Sequence, residues 1–155
     1  MKVNIECGNN ILNGFLNINS QPVKVEGLTS EAKLLFAPYH NLNPVLEDGS
    51  CDYVTISSPL NFAAPDKSVG FLATILNKMK KGAVLEFFFF DARVLGMNAY
   101  LGMKLEDLHG YLFGGGNDLK CLLDLDTVKN VLNKLGFNIL FISRDNETVS
   151  IRASK

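Results

Sequence analysis

The chain has no block of basic residues, and its formal net charge is -1. Composition therefore gives no electrostatic support to a nucleic-acid partner. Its longest apolar run, around Ala83 to Phe90, falls far short of the ~20 residues that a membrane-spanning helix needs. The start, MKVNIECGNN, lacks the continuous apolar region of a secretion signal. The three cysteines, Cys7, Cys51 and Cys121, lie far apart and show no paired spacing for zinc or redox chemistry. Free thiols in a reducing, cytoplasmic compartment are the expectation, with no membrane and no metal. Neither an internal repeat nor a low-complexity tract is present. What is abundant is apolar residues: 47% of the 155 are hydrophobic, which excludes a disordered chain and suits one domain, residues 1–155, with a single core.

The stretch that organises the chain is its beginning, MKVNIECGNNILNGFLNIN. Val3 and Ile5 alternate with polar neighbours, as in a short strand. The strand runs into Glu6-Cys7-Gly8-Asn9-Asn10, where Gly and Asn are residue types that turn a chain and tolerate positive φ. A second apolar run, Phe15 to Asn19, follows Gly14. A strand ending in an acid and then a glycine turn is how an open α/β sheet builds a nucleotide cradle at its carboxyl edge.

Further strands are expected at Val23–Val25, at Ala32–Ala37 before Pro38, and at Cys51–Ser57, the last rich in β-branched and aromatic residues. Asp66 or Ser68 is a candidate cap for a helix whose apolar face is Val69, Leu72, Ile75, Leu76 and Met79. That helix is read as running through Lys81 and stopping at Gly82. Ala83–Asp91 (AVLEFFFFD) follows as a strand apolar enough to be covered on both faces. Residues 92–123 are the least regular part, interrupted by glycines, and are read as a lid or binding segment. Asp124 or Asp126 caps the next helix, with Leu125, Val128, Val131, Leu132 and Leu135 as its stripe and Gly136 as its stop. Phe137–Ser143 and Glu147–Ala153 form a closing hairpin around Arg144-Asp145-Asn146. The fold class is α/β: Rossmann-like, a mostly parallel sheet with a C-terminal antiparallel hairpin.

VNIECGNNILNGFLNIN resembles the opening of the small class I S-adenosylmethionine-dependent methyltransferases, one branch of which starts roughly "LNLGCGNNPLPGYINVD". Leu42–Val54 is similar to that family's "LPFEDNSVDYI", Phe71–Glu86 to "FLREVYRVLKPGGRLR", and Leu135-Gly136-Phe137 to the end of "LLEEAGF". These matches span most of the chain in a common order. The family usually has an acid after its second strand, where it holds the ribose hydroxyls; this chain has Asn19, without the charge that makes such bonds strong. Its "SHVLEH" stretch is here Ser57-Ser58-Pro59-Leu60-Asn61-Phe62.

The resemblance implies an S-adenosylmethionine cofactor held by Glu6, Cys7, Gly8, Asn9, Asn10, Asn19, Tyr39, His40 and Ser57. Glu6 falls near the cofactor's methionine amine, or is a strand-end acid in solvent. Gly8 allows close backbone approach, or simply turns the chain. Asn9 and Asn10 bond the ligand or shape the loop. Tyr39 or His40 is a candidate adenine contact, and Ser57 ends the central strand where open sheets place ligands. His109, with Asp107 near in sequence, is a weak candidate for a general base, since its free pKa lies near neutral. Gly114-Gly115-Gly116 lacks the following Lys-Ser or Lys-Thr of a phosphate loop. Two functions follow: methyl transfer to an unidentified acceptor selected by the lid, or a non-catalytic module that has lost cofactor binding and uses the apolar lid for a partner or for self-association.

Overall fold

The computed structural model describes residues 1–22, 32–39, 41–62, 65–146 without 101–122, and 148–155. The strand expected at Val23–Val25 lies outside them, as do His40, Asp107, His109 and the glycine triplet. The described strands are β1 (Lys2–Ile5), β2 (Leu16–Asn19), β3 (Lys33–Phe36), β4 (Cys51–Ile56), β5 (Met79–Phe90), β6 (Asn138–Asp145) and β7 (Thr148–Ser154). The described α-helices are α1 (Pro65–Lys78), α2 (Ala92–Tyr100) and α3 (Leu125–Leu135).

All seven strands join one sheet in the order β3-β2-β1-β4-β5-β7-β6. β1 to β5 run parallel, and β7 runs antiparallel between β5 and β6. The order reverses between β1 and β4, so their carboxyl ends open a crevice at the switch point. This is the α/β sheet with a closing antiparallel hairpin that the sequence pattern implies.

Alternation along the strands sends Val3, Ile5, Ile18, Val54, Ile56, Leu85, Phe87, Phe89, Val149 and Ile151 into the core. The helices α1 and α3 cover this face and meet along a seam lined by Leu60, Leu72, Leu123 and Val128. Asp124 caps α3 by accepting the Thr127 N–H at 3.0 Å. Gly136 ends α3 at φ 87°, a left-handed conformation that suits glycine.

Three expectations shift. The helix ends at Lys78, not Lys81, and Met79–Gly82 belong to β5. Met79 pairs with Cys51 and is fully buried, while Lys80 reaches Asp52 at 2.6 Å. Lys78, in the last turn of α1, pairs with Asp48 at 2.6 Å. Gly82 does not stop a helix; at φ 79° it sits in an irregularity of β5 and donates its N–H to Lys155 O. Part of the stretch read as irregular, Ala92–Tyr100, is helical.

The second face of β5 is only half covered. Glu86, Phe88 and Phe90 alternate with buried neighbours but remain partly exposed. Glu86 and Phe88, with Thr55, Phe141, Ser143, Ser150 and Arg152, border a groove of about 280 Å³. A row of register partners crosses this face: Asn17, Asn4, Thr55, Glu86 and Arg152. Glu86 accepts bonds there from Tyr53 and Arg152. The connection from β1 to β2 holds no helix that could cover the row.

Candidate functional site

β1 ends at Ile5, and the chain turns at once. Glu6 adopts φ 51° and Gly8 φ 51°. The first value is costly for a residue with a Cβ, and the second is ordinary for glycine. The turn is tied to its neighbours by backbone bonds from Cys7 N–H to Ile18 O and from Asn10 N–H to Cys7 O. β4 approaches from the other side: Ser57 N–H bonds Ile5 O at 2.9 Å, and Ser58 Oγ donates to Glu6 O at 3.1 Å.

Beneath this turn lies a network of asparagines that replaces a helix. Asn4 and Asn17 are fully buried on adjacent strands and bonded to each other at 2.9 Å. Asn4 Nδ2 also holds Asn10 O at 2.8 Å, and its Oδ1 accepts from Ser57 Oγ at 2.6 Å. Asn10 Nδ2 reaches back to Ser57 Oγ at 3.2 Å, closing a ring. Asn17 serves the rest of the loop: Oδ1 accepts the Leu12 N–H, and Nδ2 faces Leu12 O, Phe15 O and Lys33 O. Each side chain substitutes for the backbone partners that a helix would have supplied internally.

The expected residues separate into distinct roles. Gly8 presents bare backbone, and a Cβ built there has nothing within 4 Å. Asn19, at the end of β2, is 3% exposed, and its Oδ1 accepts the Gly8 N–H at 3.0 Å. Glu6 is half-buried, and burial pushes its pKa up against the lowering influence of the Ser20 hydroxyl and N–H near it. Cys7 is buried and its thiol is also pushed up by burial, so it contributes backbone to the turn and a neutral side chain to the interior. Ser57 is committed to Asn4 and Asn10, and Asn9 and Asn10 line the exposed rim.

Tyr39 stacks edge-on against Phe71 of α1, with ring centroids 5.7 Å apart, and so serves packing. Asn61, at the place of the glutamate in the "SHVLEH" stretch, is fully buried and clasps Phe90 through both its N–H and its C=O. It fixes the end of β5 beside that of β4. Sequence reasoning missed Asn4, Asn17 and Ser20 as parts of the site. The signal was present in the first two: asparagine is depleted in strands, yet it stands inside both opening strands.

No family model matches the sequence, and no curated protein matches it. Solved structures do. A methyltransferase dependent on S-adenosylmethionine from Mesorhizobium loti is similar over 99% of this chain and 90% of its own, with TM-score 0.72 and 14% identity. Another from Archaeoglobus fulgidus is similar over 99% of this chain and 85% of its own, with TM-score 0.68 and 13% identity. The fold is that of the class I S-adenosylmethionine-dependent methyltransferases. A third structure with this fold, the 1,6-didemethyltoxoflavin-N1-methyltransferase of Burkholderia thailandensis, holds S-adenosylhomocysteine; it is 10% identical, with TM-score 0.66 over 99% of this chain and 70% of its own.

Among the described residues nothing lies within 4 Å of a Cβ built at Gly8, so a ligand has room against the backbone of the glycine turn. Asn19, where the resemblance implies a ribose contact, is neutral, and its oxygen accepts the Gly8 N–H. The excursion after β5 starts and ends at one place: Asp91 bridges Leu123, Ala92 N–H bonds Leu123 O, and Arg93 pairs with Asp126 at 2.8 Å. Among the described residues no cluster of metal ligands is found, and no helix is long and apolar enough to cross a membrane.

Proposed function

We propose that this chain binds S-adenosylmethionine over the turn at Gly8 and passes its methyl group to an acceptor. The observation that carries the reading is the bare, left-handed Gly8 at the switch point of a sheet with methyltransferase strand order. When bound, the cofactor supplies an electrophilic methyl on a sulfonium. Transfer then needs chiefly alignment of donor and acceptor. The chain's own contribution is a preset cradle: Gly8 admits the ligand against backbone, Asn4 and Ser57 hold the turn, and Glu6 offers a carboxylate to a cationic ligand. On this reading residues 92–123, whose two ends meet where Asp91 bridges Leu123, select the acceptor.

Calorimetric titration with S-adenosylhomocysteine tests this reading. Saturable one-to-one binding is expected. No detectable heat at millimolar ligand would remove the cofactor and leave a methyltransferase-fold module whose partner is a macromolecule or another copy.

A further inference from the structure

We infer that β6 is the interface between two copies of this chain, paired antiparallel across a two-fold axis so that their sheets join. β6 stands at the end of the strand order and, among the described residues, pairs only with β7. Alternate N–H and C=O groups along its outer side therefore face away from the sheet, toward the place of another strand. Sheet edges are ordinarily protected by brevity, by lysine or proline, or by a bulge. β3, at the opposite edge, is four residues long and starts at Lys33. β6 is eight residues long, NILFISRD, and contains no lysine, proline or glycine. Its bulge falls near its start, where the register with β7 shifts between Ile139 and Phe141. From Phe141 to Asp145 the ladder runs without interruption.

The side chains favour a second copy over another occupant. Phe141 and Leu140 are adjacent on this edge and 60% and 51% exposed. β6 is charged only at its end, where Arg144 and Asp145 carry opposite signs. A two-fold axis at Ile142 sets that residue against Ile142 of the partner subunit, and Phe141 against Ser143 of the partner subunit. Phe141 and Ser143 both border the groove on the open face, so opposed residues share a face, as antiparallel pairing requires. Arg144 and Asp145 then lie beside the uncharged Leu140 and Ile139 of the partner subunit, and no like charges are opposed. The joined sheet carries the two grooves side by side on one face. A contact of this isologous kind closes on itself and stops at two copies. β6 forms it with or without a cofactor.

Sedimentation velocity of the full chain from about 1 to about 100 μM tests this. A reversible monomer–dimer equilibrium is expected, with a dissociation constant on the order of 10 μM, as suits a contact at the small end of specific interfaces. Phe141→Lys places the edge-protecting residue type on the outer strand and is expected to raise that constant about tenfold or more. Its melting temperature should move little, because the ring it removes is mostly in solvent. Amide exchange gives a second reading without mutation. Outward-facing amides within residues 139–145 should exchange more slowly in concentrated than in dilute wild type, while those of β7 are unchanged. A chain that stays monomeric throughout the range, with β6 amides exchanging alike at both ends of it, overturns the inference. So does a dimer that Phe141→Lys leaves intact, and so does assembly that runs on past two copies, the mark of β6 meeting β3 instead.

Discussion

The two halves of the sheet are stabilised differently. In β4, β5 and β7, with α1 and α3, apolar side chains meet helices: Leu72, Ile75, Leu85, Phe87, Phe89, Leu132 and Ile151 are buried together. In β1, β2 and β3 the strands are four residues long, and the β1–β2 connection is a loop tied down by buried asparagines. One half relies on burial of apolar area, which is non-directional and tolerant of small shifts. The other shares that core through Val3, Ile5 and Ile18 and adds directed hydrogen bonds, each of which fixes a particular backbone atom. A ligand that must be met by backbone groups benefits from the second kind of order.

The contrast is open to direct attack. The largest effect is expected from Phe89→Ala, which removes a fully buried ring between sheet and helices and costs about 3–5 kcal/mol in a urea melt. Loss of cooperativity across the whole sheet is expected with it. A smaller and more local effect is expected from Asn17→Leu. This change keeps the number and branching of side-chain heavy atoms but strands the Leu12 N–H and C=O and the Lys33 carbonyl, at about 2–3 kcal/mol. Amide exchange should accelerate in residues 10–17 while α1 and α3 keep their protection. If both halves loosen equally, the division is wrong.

The smallest effect concerns the open face. Burial and then the Glu86 carboxylate push the Tyr53 phenol up to about 12. Its folded pKa lies above the ordinary value of 10, so its contribution to stability is complete below pH 10 and is lost as pH rises through 12. An ultraviolet titration should show one late tyrosine that disappears in Tyr53→Phe. A Tyr53 that titrates near 10 would mean that the face is more open to water than its contacts with Glu86 and Phe15 imply.

The same division explains what the sequence reveals. α3 is legible because Asp124, the apolar stripe and Gly136 repeat a pattern set by local geometry. β4 and β5 are legible because their residues favour strands, though the start of β5 is not. Met79-Lys80-Lys81 continues a helical pattern, and only the pairing of Met79 with Cys51, far away in sequence, turns it into strand. At the site, Gly8 is legible as a turn, and the family resemblance places it at the crevice. Asn19 is legible as a missing charge. That its oxygen returns to Gly8 is a long-range fact with no local signature. Asn4 and Asn17 are visible only as strand residues of the wrong type.

The central claim is that the hydrogen-bonded half of the sheet, not the groove on its open face, receives the cofactor. Amide chemical-shift mapping with S-adenosylhomocysteine tests it most directly. The expected result is a set of saturable shifts at residues 6–10, 19–20 and 57–58, with Phe88, Phe141 and Arg152 unmoved. Shifts centred on those three groove residues, with the Gly8 turn silent, would contradict it.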